Sequence, residues 1–103
     1  MSFGGIAFGQ SFSITGEVVH PGVYHLSKGA TVLAAIPLAG GPTRSARPEN
    51  TVIVRQNRQI PINLKSLMLG RTMDVPLLDG DEVRVTKSSF VPIVIADAAA
   101  RRY

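Results

Sequence analysis

Apolar and polar residues alternate along residues 11–19, which form the first clear element of the chain. The apolar set is Phe12, Ile14, Gly16 and Val18, and the polar set is Ser13, Thr15 and Glu17. This period of two predicts a half-buried strand. His20-Pro21-Gly22 then predicts a tight turn, because proline presets φ at the second turn position and glycine accepts positive φ at the third. Residues 23–26 are predicted to return as the second strand of a hairpin.

A helix is predicted next, with Thr31 as the N-cap, because its hydroxyl can accept from a backbone N–H of the first turn. The apolar residues that share one helical face are Val32, Leu33, Ile36 and Ala39. Gly40-Gly41-Pro42 should end the helix, since glycine tolerates the left-handed conformation and proline cannot continue it. Pro37 removes one helical hydrogen bond, so we expect a kinked or very short helix.

The second half of the chain favours strands. Residues 42–50 predict a loop and residues 51–55 a central strand. Residues 59–64 predict an edge strand across a turn at Asn57-Arg58, because Pro61 cannot donate to a ladder. Residues 65–70 are compatible with one helical turn, Asp79-Gly80-Asp81 with a turn, and the alternation around Val83 and Val85 with a closing strand.

This order of elements predicts an α+β fold of the β-grasp (ubiquitin-like) type. We expect a mixed sheet of four to five strands with one short helix packed across it, flanked by extended apolar arms. The predicted organisation is an N-terminal arm at 1–10, a domain at 11–87 and a C-terminal arm at 88–103.

The composition fits one globular domain of 103 residues without cysteine, which excludes disulfides and thiolate chemistry. The sequence has neither the pattern of a signal peptide nor an apolar run long enough for a transmembrane segment. We therefore expect a chain that stays where it was made, cytoplasmic or virion-associated, or a domain excised from a longer, exported protein. The sequence leaves its localisation open between these.

The net charge is +4, and four arginines fall within residues 44–58 with only Glu49 as a counter-charge. These arginines are candidate contacts to a polyanion or a partner, such as an acidic glycan: Arg44, Arg47, Arg55 and Arg58. A solvated basic face is the alternative interpretation. Nucleic acid is the less favoured partner, because residues 44–58 contain no aromatic side chain for stacking.

Candidate catalytic and metal-binding patterns are incomplete. His20 and His25 lack a standard metal-ligand spacing, and the acidic cluster at 79–82 lacks the full pattern of a calcium loop. No serine lies in a Gly-x-Ser-x-Gly elbow, and the glycine pairs lack phosphate-loop patterns. The sequence therefore predicts no catalytic residue, no metal site and no cofactor.

Apolar residues are concentrated near both ends of the chain. They are Phe3, Ile6 and Phe8 before the domain, and Phe90, Val91, Ile93 and Ile95 after it. A small domain has limited room to bury both arms, so they are predicted to dock on neighbouring subunits. In the alternative, one arm adds a strand to the sheet of its own domain.

Four segments together resemble the SLBB domain, the soluble-ligand-binding β-grasp family. They are GEVVHPGVYHL at 16–26, KGATVLAAIPLAGG at 28–41, TVIVRQ at 51–56 and LLDGDEVRV at 77–85. The resemblance covers residues 12–86, although Pro37 departs from the family's uninterrupted helix. It implies a non-catalytic binding or assembly domain, since similar domains occur in polysaccharide export proteins, a competence DNA receptor and vitamin B12 carriers.

Two functions follow as hypotheses. The first is a structural subunit of a larger complex, such as a ring, channel, shell or virion, with protein partners and homo-oligomerisation. The second is the acidic-glycan-binding domain of a polysaccharide export protein.

Overall fold

The computed structural model describes residues 10–87, which contain five strands and three short helical segments. In chain order the elements are β1 (Ser11–Gly16), β2 (Gly22–His25), α1 (Val32–Ala35), a 3-10 helix (Ile36–Ala39), β3 (Ala46–Arg55), β4 (Arg58–Ile62), α2 (Leu64–Met68) and β5 (Glu82–Lys87). Neither α-helix in this part of the chain has the length and apolar character needed to cross a membrane.

The five strands form one mixed sheet in the order β2-β1-β5-β3-β4. β1 and β5 pair in parallel at its centre, and the other neighbouring strands pair antiparallel. The parallel pair requires a long crossover, and the intervening chain supplies it together with α1. The predicted α+β fold of β-grasp type is therefore confirmed.

The core lies between the sheet and the helices. Ile14, Val83 and Ile53 are register partners on β1, β5 and β3, and all three are fully buried. Val32 on α1 and Leu64 on α2 close this layer from the helical side. Their burial fixes which face of the sheet packs inward, because side chains alternate between the two faces of a strand. We call the opposite, helix-free side the outer face.

The helix prediction is confirmed in detail. The Thr31 hydroxyl accepts a hydrogen bond from the backbone N–H of Ala34 at 3.2 Å. The α-helical turn gives way to 3-10 geometry at Ile36, directly before Pro37, as expected for a proline that disrupts the helical ladder. Gly40 then ends the segment with φ of +83°.

Three boundary predictions are wrong. β1 ends at Gly16 rather than residue 19, so the hairpin connection is longer than the predicted tight turn, and Gly22 begins β2 without a positive φ. β3 begins at Ala46, inside the predicted loop, because Ala46 and its neighbour pair with the end of β5. The β3–β4 turn lies at Gln56 and Asn57, both with positive φ, one residue before the predicted position.

Gly16 explains the early end of β1. Its φ is +84°, and a Cβ at this position would lie 2.0 Å from the carbonyl oxygen of Val85. The backbone therefore approaches β5 more closely than any side chain permits. The chain leaves the β1 ladder after Gly16, and Val18 forms an isolated bridge with Pro42 instead.

Candidate interaction surfaces

Arg55 and Asp81 form an ion pair where β3 ends and β5 begins. Asp81 is 1% exposed and accepts from Arg55 Nε at 2.9 Å and Nη2 at 2.7 Å. The backbone N–H of Leu78 donates to the same carboxylate at 2.7 Å. The hydrogen bond to Asp81 raises the pKa of Arg55 above its ordinary value. The positive charge of Arg55 is therefore paired with a buried carboxylate of its own domain.

The four arginines predicted to contact a polyanion are divided between the two ends of β3. Arg44 precedes the strand and Arg47 pairs with Thr86 near its start. Arg55 and Arg58 are register partners at its other end. The register of β3 against β5 shifts between Arg47 and Val52, so the two groups are about five β5 positions apart, roughly 17 Å. The structure thus brings Arg44 together with Arg47, and Arg55 with Arg58, but does not gather all four.

A third basic residue joins the first of these groups. Lys87, at the end of β5, is the register partner of Ala46 and lies beside the start of β3. We call Arg44, Arg47 and Lys87 the basic end of the domain. Arg47 also forms a long ion pair with Glu49 at 3.9 Å, and both side chains are substantially exposed. The sequence interval 44–58 did not identify Lys87, because strand pairing alone places it here.

The acidic residues of the turn before β5 have separate partners. Asp79 accepts from the backbone N–H of Ser11 at 2.7 Å, whereas Asp81 binds Arg55. Glu82 points to the outer face, where it accepts from Thr15 and from its neighbour Arg84. These interactions tie the turn to β1 and β3 rather than directing oxygen atoms at a common point.

Glu82 lies at the centre of a polar network on the outer face. Its carboxylate accepts from Arg84 Nε at 3.1 Å and from the Thr15 hydroxyl at 2.7 Å. The Arg84 hydrogen bond, followed by the Thr15 hydrogen bond, lowers the pKa of Glu82. Arg84 is therefore held against the sheet by its own strand neighbour.

The two histidines lie apart, His20 in the β1–β2 connection and His25 at the end of β2. Residues 10–87 contain no group of three or more His, Cys, Asp or Glu side chains placed to hold a metal ion.

A shallow groove lies beside β2 on the helix side of the sheet, and Leu38 on the 3-10 helix, which is 58% exposed, lines it. Val23 on β2 is 75% exposed on the outer face. The groove has a volume of about 200 Å³ and lies between β2 and α1. We call it the β2 groove; its lining residues are Phe12, His25, Ser27, Ala30, Ala34, Ala35 and Leu38.

A second apolar surface lies at the other side of the sheet, beside β4 and α2. Met73 is 89% exposed, and Met68 and Leu69 at the end of α2 are also exposed. Met73 lies at a cavity of about 180 Å³ that we call the α2 groove, lined by Ile62, Asn63, Leu67, Thr72, Met73 and Val75.

The predicted apolar arms fall outside residues 10–87. Phe3, Ile6 and Phe8 precede the described part of the chain, and Phe90, Val91, Ile93 and Ile95 follow it. Their docking on neighbouring subunits stays a prediction.

Comparison with known protein families gives a match to the model of the SLBB domain over residues 11–73. The chain belongs to the SLBB family. No curated protein is significantly similar to it. SLBB domains are ligand-binding rather than catalytic modules.

The SLBB match ends before the last strand of the sheet. β5 begins at Glu82, yet it occupies the centre of the sheet between β1 and β3. The Arg55–Asp81 pair joins a residue inside the match to one beyond it. The folded SLBB unit in this chain therefore includes β5.

Sequence reasoning did not identify the two apolar surfaces of this SLBB domain. Val23 lies in a segment whose sequence predicts a strand, and its side chain is exposed because β2 is at the edge of the sheet. Met73 lies in a stretch without clear periodicity, RTMDVP at 71–76. An isolated methionine between charged residues was the available signal, and it is a weak one.

Proposed function

We propose that this SLBB domain is a non-catalytic interaction module that acts as a structural subunit of a larger assembly and contacts further copies of itself. The observation that carries the proposal is the presence of two different apolar surfaces, the β2 groove and the α2 groove, at opposite edges of the sheet. Exposed apolar surface of this kind is typical of protein interfaces.

The charged groups at the start of β5 support the same function. Asp81 and Arg55 satisfy each other, and Glu82 is engaged by Arg84 and Thr15. Their hydrogen-bonding capacity is directed into the fold rather than at a bound substrate. The two grooves hold about 180 and 200 Å³, less than the roughly 300 Å³ at which pockets for small ligands begin.

The presence of two unlike surfaces favours one type of assembly. An interface is heterologous when one surface of a copy contacts a different surface of the next copy. Such an interface generates a ring if the rotation closes. This geometry suits a repeating subunit of a ring, channel or shell.

Sedimentation velocity over a range of protein concentrations tests the proposal. We expect the average mass to rise above the monomer mass of 11.0 kDa as concentration increases. Met73→Glu should weaken this association, because it places a charge on the α2 groove, whereas Gln59→Glu on the exposed face of β4 should leave it unchanged. A monomer at every concentration would overturn the proposal.

The second candidate function is acidic-glycan binding, as in a polysaccharide export protein, and the basic end favours it. Arg44, Arg47 and Lys87 bring three positive charges together at one end of the sheet, and Glu49 pairs with Arg47 there. Binding of a uronic-acid polysaccharide should weaken with added salt, and Lys87→Gln should flatten that dependence. Arg58→Gln, at the far end of β3, is the matched control. Absence of binding at low salt would remove this candidate.

A further inference from the structure

We infer that the free edge of β2 is a docking edge, and that it receives residues 90–95 of a second copy as an added antiparallel strand. The inference rests on the assembly role proposed above and deepens it by naming both partners of one contact.

The hydrogen-bond pattern of β1 shows which groups of β2 are open. Leu26 N–H donates to the Gln10 carbonyl at 3.1 Å, whereas Ser13 N–H donates away from β2, to Asp81. Bonded and non-bonded pairs alternate along an antiparallel ladder. With Ser13 opposite Val23 and Ser11 opposite His25, the N–H and C=O groups of Val23 and His25 point to the free edge. Among residues 10–87 no strand pairs with these two donors and two acceptors, so they are open to an added strand.

The opposite edge of the sheet is protected. β4 is joined to β3 by a two-residue turn, so Arg55 and Arg58 form the hydrogen-bonded pair that closes the hairpin. Because bonded and non-bonded pairs alternate, the backbone nitrogens of Gln59 and Pro61 point away from β3. Pro61 has no N–H, which leaves Gln59 as the outward donor along this edge. Proline and charged side chains are the usual means by which proteins prevent strand addition. β2 carries neither at its outward positions.

The surroundings of β2 favour an apolar strand. Val23 is exposed on the outer face beside the free edge, and the β2 groove lies on the helix side of the same strand. An added strand would therefore find apolar surface on both faces of the sheet. Main-chain hydrogen bonds would supply affinity and these two surfaces would select the side chains.

Residues 90–95, with the sequence FVPIVI, are the segment that fits. They form an uncharged apolar run within the sixteen residues that follow the last described residue, Lys87. If the backbone N–H and C=O groups of Val91, Ile93 and Ile95 point towards β2, the backbone of Pro92 points towards the new free edge. The missing N–H of Pro92 then removes no hydrogen bond with β2. That register places an isoleucine against Val23 and directs Phe90 and Val94 towards the β2 groove.

The strand direction favours a second copy over the same chain. β5 is parallel to β1 and therefore antiparallel to β2. A tail that reversed after β5 would run parallel to β2, and parallel pairing is the slightly weaker arrangement. A second copy can present the segment antiparallel without this constraint.

Two full-length variants test the contact, each blocking one partner. Val23→Pro removes an outward donor from β2 without disturbing the β1 ladder, and Ile93→Asp with Ile95→Asp disables the segment. Each should weaken self-association, measured by sedimentation velocity, by about tenfold or more. Gln59→Pro removes the corresponding donor from β4 and is the matched control. Thermal unfolding of each variant checks that the fold is retained.

Mixing the two blocked variants gives the decisive measurement. One supplies an intact segment and the other an intact β2 edge, so the mixture should form a heterodimer of about 22 kDa, twice the 11.0 kDa monomer. Self-association of Val23→Pro as strong as that of the native chain would overturn the inference while leaving the assembly role intact. If Val23→Pro weakens self-association but the double aspartate variant does not, residues 90–95 are refuted as the occupant. A mixture of the two variants that stays monomeric would refute them as well. A monomeric native chain would refute both proposals.

Discussion

Replacing Asp81 by alanine should destabilise the domain severely. The carboxylate is 1% exposed and receives three hydrogen bonds, two from Arg55 and one from the backbone N–H of Leu78. Its loss leaves the backbone N–H of Leu78 without its acceptor and leaves the Arg55 guanidinium with the Pro76 carbonyl oxygen, at 3.3 Å, as its acceptor. Breaking a fully buried pair by removing one partner costs about 3–5 kcal/mol. The Arg55 side chain is 26% exposed and stays partly solvated, so we expect about 3 kcal/mol here. This is a large share of the roughly 5–15 kcal/mol that stabilises a domain of this size.

The free energy of unfolding, measured by urea denaturation at pH 7, tests this value. Glu49→Ala is the matched control, because it removes a carboxylate whose ion pair is long and exposed, and such pairs contribute about 0–1 kcal/mol. A double-mutant cycle with Arg55→Ala should give a coupling energy of about 2–3 kcal/mol. A loss below about 1 kcal/mol for Asp81→Ala would show that water replaces the carboxylate and that the pair is not structural.

Two further predictions concern β1 and the outer face. Gly16→Ala should destabilise the domain by more than about 2 kcal/mol, because its Cβ would lie 2.0 Å from the Val85 carbonyl oxygen. Gly22→Ala is the control, because a Cβ at that position meets open space. Equal urea midpoints for the two variants would contradict the argument. Glu82 has a lowered pKa in the fold, so its stabilising contribution is present above the unfolded value of about 4.3 and is lost as the pH falls through the folded value. The difference in urea midpoint between the native chain and Glu82→Gln should therefore be greatest near neutral pH and shrink below about pH 4, whereas a difference that does not change with pH would refute this assignment.

The candidate surfaces were less predictable from the sequence than the fold. The arginines at 44–58 form one cluster along the chain, but an extended strand separates them in space. Arg55 could not be distinguished from its neighbours by composition. Its partner Asp81 lies 26 residues away, and only the pairing of β3 with β5 brings the two together.

Local signals in the sequence determined the elements and the fold class. Alternation in β1, the Thr31 cap, the stop at Gly40 and the edge position implied by Pro61 each have a short-range physical cause, and each is found in the structure. Such signals depend on backbone geometry and side-chain periodicity over a few residues. They therefore specify a strand or a helix before any tertiary contact is known.

Tertiary structure alone decided the strand boundaries and the surfaces. β1 ends where its backbone approaches Val85, and β3 starts early because β5 pairs with it. Val23 is exposed because β2 lies at a sheet edge, and Arg55 is neutralised because Asp81 is brought beside it. Each of these outcomes depends on contacts between residues distant in sequence, which a local pattern cannot specify.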